Sequence, residues 1–544
     1  MMRNLLNGES KTITGAALLL GAASLASRLL GVLRDRVLAG QFGAGDTLDI
    51  YYAAFRIPDL IFNLLILGAL SAGFIPVFMQ AMQAVKESGG AAERVKYHEA
   101  WKITNGVINI MGVALILICG LFIIFSKWMI PMITPGFNPA KMALAIKMAQ
   151  IMMLSPIFLG LSNILGGILQ SFKRFFIFSL APIAYNMGII VGALFFVRWW
   201  GIYGLAFGVV LGALLHMIIQ LPTARNLGYH YQWIFDFANE SIKKIGKLMI
   251  PRALGLAVSQ INLVVITIIA STLASGSLAV FNLANNLQYF PIGVIGISFA
   301  VAAFPILGEL AAAGKKGEMV KNFSHTVRQI LFFIVPASVL LLVLRAQIVR
   351  VILGSGKFNW EDTILTSDTL AFFVLSLFAQ ALIPLLARFF YAMQDTKTPF
   401  FVGLFSAGVN VAGALFLARP LGVVGLALAF SIANILNFGL LWVFLRIKFG
   451  PLDELNILNS VLKISVAAFA MALAVQTMKF VLAPFVDMQT FLGVFGQGFG
   501  AGLLGLGVFI GVGVVLGSRE MIAVRDAIKY RLFKVKPPVI SDEG

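Results

Sequence analysis

This 544-residue chain is short of charge, histidine and cysteine: 12% of its residues are charged, four are histidine and one is cysteine. A lone Cys119 allows no intramolecular disulfide and no cysteine-based metal cluster, and its place in an apolar run marks it as a small buried side chain. The histidines, His98, His216, His230 and His325, are scattered, and no paired acidic motif accompanies them. A membrane enzyme would cluster acids for magnesium or set a histidine at the interface, so catalysis is not expected, nor is a metal or cofactor site. His216, within an apolar stretch, reads as a packing residue. No P-loop is present, which argues against ATP hydrolysis by the chain. Alternating strands of about ten residues, the mark of an outer-membrane barrel, are missing as well.

What the chain has is apolar length. Hydrophobic residues make up 60% of it and its mean hydropathy is +0.94, which places it among all-α integral membrane proteins. A helix needs roughly 20 apolar residues to cross a bilayer, and runs of that length predict about fourteen transmembrane helices, the first beginning near Thr12 and the last near Thr490. The first run is too long for a signal peptide, contains Arg28 and Arg34, and lacks a small-residue cleavage site, so it is expected to be retained. The net charge of +18 is unevenly placed. With the N-terminus in the cytoplasm, the great majority of lysines and arginines fall in inside segments. That bias predicts a multi-pass protein of the cytoplasmic membrane with both termini inside, and it explains the basic charge without nucleic acid. The segment from Arg519 to Lys536 reads as a solvated basic tail.

An internal repeat gives the organisation. Gly201-Ile-Tyr-Gly-Leu-Ala206 recurs as Gly422-Val-Val-Gly-Leu-Ala427, at an offset of 221, and Leu169-Gln170-Ser-Phe-Lys173 resembles Met393-Gln394-Asp-Thr-Lys397, at an offset of 224. The stretch from Asp46 to Pro76 matches that from Ser275 to Pro305 in apolar rhythm and closing proline. Two six-helix lobes follow, 1–235 and 236–450, then two additional helices in 451–518 and the basic tail 519–544. Because six is even, the lobes insert in the same orientation and form a parallel repeat, with alternating access as the natural mode of action.

Charge is concentrated where it costs most. Arg28, Arg34, Arg36, Arg56, Asp35 and Asp49 lie within or at the ends of the first two apolar stretches. An ionisable group at membrane depth costs at least about 2.5–3.5 kcal/mol, so such a group needs a partner, a watery cavity or an anionic ligand. The pattern points to a charged solute handled inside the bilayer. At about 100° per residue, Arg28 and Asp35 share a face of the first helix with Gly31 between them, while Arg34 and Arg36 flank it. Arg28 lies deepest and is the leading candidate; Arg36 can equally pair or snorkel. In the second stretch, Arg56-Ile-Pro58-Asp59 brackets a proline that frees backbone carbonyls and predicts a kink. There Arg56 either serves the solute or forms a helical ion pair with Asp59.

The run Ser27-Arg28-Leu-Leu-Gly31-Val-Leu-Arg34-Asp35, followed by Phe42-Gly43-Ala44-Gly45, Asp49, Phe55-Arg56-Ile-Pro58 and Gly68-Ala69-Leu-Ser71-Ala-Gly-Phe74-Ile-Pro76, resembles the N-terminal signature of the MurJ/MviN lipid II flippases. These belong to the multidrug/oligosaccharidyl-lipid/polysaccharide exporter superfamily. The resemblance continues through Thr134-Pro135-Gly136-Phe137, Ala274-Ser275-Gly276-Ser277, Gly356-Lys357-Phe358 and Gln394-Asp395-Thr-Lys397-Thr398-Pro399. It implies the same fourteen-helix fold and transfer of lipid II, or a similar polyprenyl-pyrophosphate glycolipid, to the outer leaflet. Membrane lipids and cell-wall synthesis proteins are the other partners it implies. Relatives line a cationic cavity with first-helix arginines and an early second-helix acid, which match Arg28, Arg34 and Asp49. Guanidinium forks suit a pyrophosphate because they bind its oxygens bidentately and stay protonated.

The chain also departs from that pattern. Many relatives have an arginine after the Pro58 position, where this chain has Phe62 and Asn63, and one in the eighth helix, where it has Asn285 and Asn286. Arg56 and Arg252 are the candidates to make up the charge; Arg252 can also snorkel. A sodium site in some relatives uses acids at positions that align with Ile266 and Ala414, which argues against sodium coupling there. Alternatives of the same fold are a flippase for another polyprenyl-linked oligosaccharide and a drug exporter; the latter would place acids, not arginines, in its cavity. A purely structural scaffold for a cell-wall complex would tolerate Arg28→Ala.

Overall fold

The computed structural model describes residues 13–67, 70–87, 98–518 and 520–522, and among these every regular element is helical. A bilayer imposes this outcome: without water to take up N–H and C=O groups, a crossing segment must satisfy its backbone within itself. The first half contains α1 (Ile13–Phe42), α2 (Asp46–Ile61), α3 (Leu70–Glu87), α4 (His98–Ile133), α5 (Pro139–Met152), α6 (Leu154–Ser171), α7 (Phe175–Val191), α8 (Val197–Trp200), α9 (Tyr203–Ile218), α10 (Leu221–Asn226) and α11 (Glu240–Ser271). The second contains α12 (Ser277–Pro291), α13 (Ile297–Ala312), α14 (Lys316–Val343), α15 (Arg345–Leu353), α16 (Trp360–Val374), α17 (Leu377–Ala392), α18 (Lys397–Leu421), α19 (Val423–Phe449), α20 (Glu454–Leu482) and α21 (Phe491–Val515). Short π-helical segments follow α2 (Phe62–Leu67), α7 (Gly192–Phe196) and α12 (Ile292–Gly296).

Among the described residues, ten helical stretches are long and apolar enough to cross a membrane, and α16 with α17, bent by 45°, makes an eleventh. The protein is an all-α, multi-pass membrane protein. The stretches read as the first, second and seventh spans fall outside that set. Among the described residues, α11 contains a shorter apolar stretch at Leu256–Ser271.

By packing, the chain divides into two compact units. One comprises Met1–Asn282, Leu353–Asp362 and Ala418–Val423; the other comprises Leu283–Ile352, Thr363–Leu417 and Val424–Gly544. The first is built around Phe74, Phe78, Ile103, Ile164, Ile168 and Ile245. The second has a core of Phe323, Ile330, Leu385, Phe389, Phe390 and Leu445, and a smaller cluster of Phe332, Ile464, Met471, Val475 and Phe509 where α20 and α21 pack together and α20 meets α14. Helix α11 belongs with the first unit, where it packs on α3, α4 and the π segment after α2, and the polar connector before it is strapped down. Asn105 Nδ2 donates to the His230 carbonyl at 3.0 Å, and Asn109 Nδ2 donates to those of Gln232 and Ile234 at 2.9 Å. Asn239 then caps α11 by accepting from the Ser241 and Ile242 amides.

Close backbone approach fixes two further features. A Cβ on Gly192 would come within 2.4 Å of Gly208 Cα, and one on Gly188 within 2.3 Å of Gly212 Cα, so α7 and the first residue of the π segment after it meet α9 along a glycine seam of the small-residue type common between membrane helices. Each unit also contains a matching helix-ending turn. Lys173 (φ 57) donates to the Gln170 carbonyl while Arg174 donates to that of Leu169; Gln394 (φ 60) donates to Tyr391 while Asp395 donates to Phe390. These two turns correspond at an offset of 221, the same as Gly201 (φ 55) and Gly422 (φ 59), and three residues from the sequence pairing of 224.

Candidate functional site

A cavity of about 640 Å³ opens inside the first unit. Helix α1 contributes Arg34, α2 contributes Phe55, Pro58 and Asp59, and the π segment and α3 contribute Phe62 and Phe74. Helix α6 adds Ser155, Leu159, Asn163, Gly167 and Gln170, and the far wall is Phe178, Pro182 and Tyr185 of α7 with His216 of α9. The wall is thus largely apolar, with a few polar groups from different helices pointing inward, the usual make-up of a ligand cavity. The helix runs through Pro58 and widens to π geometry at Phe62, where the amide donates to the Pro58 and Asp59 carbonyls. Proline leaves hydrogen-bonding slack in the following turn, and π segments of this kind concentrate at functional sites.

Arg34 is the cationic group of the cavity wall. Its Nε and Nη2 donate to Asp35 Oδ1 at 3.0 and 2.8 Å, and Nη1 donates to Asn186 Oδ1 at 3.2 Å. The Arg34 side chain is 24% exposed and that of Asp35 is 8% exposed. A guanidinium has five N–H donors; three are engaged here, which leaves two for a ligand. Arg28 is half-buried, does not line this cavity, and makes no hydrogen bond or ion pair among the described residues. Its exposed neighbours on the same helix are Leu25, Leu29 and Leu33.

The other sequence candidates are placed elsewhere. Buried Arg56 donates from Nε to Thr267 Oγ1 at 2.9 Å and from Nη2 to Asn282 Oδ1 at 3.3 Å, joining α2 to α11 and α12; no ion pair with Asp59 forms within 4 Å among the described residues. Asp49, 3% exposed, accepts from the Gly276 and Ala279 amides at 2.8 and 2.9 Å and from Lys141 Nζ at 2.8 Å. Its carboxylate therefore caps α12, where a negative charge meets the positive end of the helix dipole. Around it, Lys141 also reaches Asp46 at 2.7 Å, Asp362 accepts from the Ala44 amide at 3.2 Å, and the Gly40 carbonyl accepts from the Lys357 amide at 2.8 Å. These contacts close one end of the first unit as a clasp. Gly276 (φ +85) is required in it, since a Cβ there would lie 1.9 Å from the Ala44 carbonyl oxygen.

Asn285 and Asn286 lie on the part of α12 that belongs to the second unit. Asn285 Oδ1 accepts from Gln288 Nε2 at 2.9 Å, and Gln288 in turn accepts from Gln380 at 3.0 Å. Arg252 is on α11, and its side chain lies outside the described ones. Ile266 and Ala414 are buried apolar side chains. Sequence reasoning did not single out Asn163, Gln170 or Tyr185 as cavity residues, and it read Asp59 only as a partner for Arg56. His216 packs and lines the cavity at once, with Nδ1 2.7 Å from Ser162 Oγ.

Comparison with known proteins places the geometry in a family. The family model described as lipid II flippase MurJ matches residues 38–496. A probable lipid II flippase MurJ from Rhizobium tropici is 31% identical over 425 residues, covering 77% of this chain and 78% of that protein. Another from Bdellovibrio bacteriovorus is 27% identical over 525 residues, covering 96% and 98%. Among solved structures, lipid II flippase MurJ in an inward closed conformation shares the fold with a TM-score of 0.73 at 24% identity, covering 94% of this chain and all of that one. An inward-facing multidrug resistance MATE family transporter shares it with a TM-score of 0.65 at 16% identity, covering 79% and 96%. The chain belongs to the MurJ family of lipid II flippases.

Proposed function

We propose that this chain flips lipid II, the undecaprenyl-pyrophosphate-linked precursor of peptidoglycan, from the inner to the outer leaflet of the cytoplasmic membrane, and that Arg34 is its principal pyrophosphate contact. The observation that carries the reading is a guanidinium with two donors unspent among the described residues, in the wall of a largely apolar cavity within the bilayer-spanning part of the chain. Arg28, on the same helix, supplies the approach. Asp49 acts through the clasp, and Arg56 holds α2 to α11 and to the start of α12. The polyprenyl tail stays in lipid while the headgroup crosses.

Fourteen spans follow if α1, the path from α2 through α3, and α11 cross along with the other eleven. A parallel repeat of two six-helix lobes, 1–235 and 236–450, with helices in 451–518 added, is supported by the paired turns at an offset of 221. The lysine and arginine bias supports cytoplasmic termini. On this reading the chain moves its substrate without chemical change and is not an enzyme, and cell-wall synthesis proteins are its natural partners. A second reading, export of a cationic drug, draws on Asp59 in the same wall. Complementation of a flippase-depleted bacterium separates them, read as exposure of the precursor on the outer leaflet. Wild type should rescue, and Arg34→Ala and Arg28→Ala should fail at normal membrane levels. Full rescue by both variants together with failure of Asp59→Asn would favour the second reading.

A further inference from the structure

The start of α14, the start of α20 and the residues after α21 meet at one end of the second unit. There Arg328, Asn456, Asn459, Ser460, Lys463 and Glu520 line a pocket of about 40 Å³. A water needs roughly 10–15 Å³ by this measure, so the space takes about three water-sized groups, room for the two free oxygens of a phosphodiester or for the oxygens that a free phosphate turns inward. Its polar groups are only partly matched. Arg328 Nη1 lies 3.4 Å from Glu520 Oε1, with the two side chains 16% and 9% exposed, yet Arg328 Nε is buried and makes no hydrogen bond among the described residues. Ser460, 7% exposed, faces Glu520, and among the described residues its Oγ meets no partner at full hydrogen-bond geometry. Lys463 spends one bond on the Gly517 carbonyl at 3.2 Å, and Asn456 donates to Asp453 at 2.7 Å. Glu520 Oε2 accepts from Ser518 at 2.9 Å.

Buried polar atoms are nearly always satisfied, so orphans facing a pocket between two cations point to a missing acceptor. We propose that this pocket binds a phosphate group, with Arg328 and Lys463 supplying the charge, Ser460 and the two asparagines supplying neutral donors, and Glu520 serving as a built-in competitor for Arg328. A carboxylate and a phosphate use the same guanidinium N–H groups, so the ligand displaces Glu520 rather than joining it. The near source of phosphate is a lipid: Leu455, Leu458 and Leu462 stand exposed on α20 beside the pocket, an apolar face that acyl chains cover. Basic pockets between membrane helices take anionic headgroups in this way. Free inorganic phosphate is the alternative source of the same chemistry.

The test uses the full chain purified in detergent, with native mass spectrometry to count retained phosphatidylglycerol and inorganic phosphate as the competing probe. Phosphatidylglycerol should be retained, and Arg328→Ala and Lys463→Ala should each weaken retention by about tenfold, the scale of one lost charge-assisted bond. Binding of inorganic phosphate with the same mutational losses, but no lipid retention, would keep the site and assign it to the free anion. Glu520→Gln guards against variants that fail to fold, because it leaves the cations in place and removes the competitor. It should tighten binding several-fold, whereas a purely structural ion pair predicts no gain. Retention of both probes unchanged by Arg328→Ala and Lys463→Ala, or an unchanged or weaker affinity in Glu520→Gln, overturns the proposal.

Discussion

Replacing Asp49 by alanine tests whether this acid works through the clasp or on the substrate. In the structure its two oxygens hold the Gly276 and Ala279 amides and the Lys141 ammonium, at 2.8 to 2.9 Å, with the residue 3% exposed. Loss of the cap alone is worth about 1 kcal/mol, and removing one partner of a buried ion pair costs about 3–5 kcal/mol. Lys141 keeps its second carboxylate, Asp46, at 2.7 Å, so the low end applies. A penalty of about 3 kcal/mol raises the open fraction of the clasp by roughly 100-fold. Hydrogen exchange of the purified protein reads this directly at the Gly276 and Ala279 amides, whose protection should fall by about that factor. Unchanged protection at both amides, combined with lost complementation, would refute the clasp and return Asp49 to direct substrate contact.

Three other outcomes are expected. Arg34→Ala removes the cation that donates twice to the buried Asp35 Oδ1 and should lower thermal stability by about 3 kcal/mol; adding Asp35→Asn should recover stability but not precursor flipping, which thermal unfolding and complementation can each report. Gly276→Val forces a left-handed backbone and a clash with the Ala44 carbonyl, so it should reduce folded yield in detergent-solubilised membranes, while Gly21→Ala, where a Cβ meets nothing within 4 Å, should not. In the loop after α17, burial pushes the Asp395 carboxyl up, but hydrogen bonds from Lys448 and Thr398 outweigh it and bring it down to about 2. A depressed carboxyl stabilises the fold above its unfolded value, about 3.9, and loses that contribution as pH falls through its folded value; the melting-temperature gap between wild type and Asp395→Asn should therefore be full above about pH 4 and vanish toward pH 2.

The class of fold was legible because composition and run length are summed over hundreds of residues, and no local accident alters them. The site was harder to read. A helical wheel places Arg28 and Asp35 on one face, yet Asp35 is held by its neighbour Arg34, because a wheel records the direction of Cβ and ignores the reach of a long side chain. The convergence of Asp59, Asn163, Gln170 and Tyr185 on one cavity was invisible for a different reason: they come from α2, α6 and α7, and nothing local in the sequence encodes which faces meet. Asp49 carried the right signal, a costly acid at a helix start, but its partners, Lys141 and the Gly276 amide, lie about 90 and 230 residues away. Pro58 announced an irregularity that the structure delivers a turn later, at Phe62, as a wider helix.

The glycine seam between α7 and α9 has a mechanical consequence. Two helices in backbone contact at Gly188–Gly212 and Gly192–Gly208 have no side-chain cushion to compress or shear, so they travel as one stiff plank. Tyr185 and His216, one on each helix, keep a constant spacing, and any change in the volume of the chamber they face has to be made by the opposite wall, where the π turn at Phe62 gives the backbone its slack.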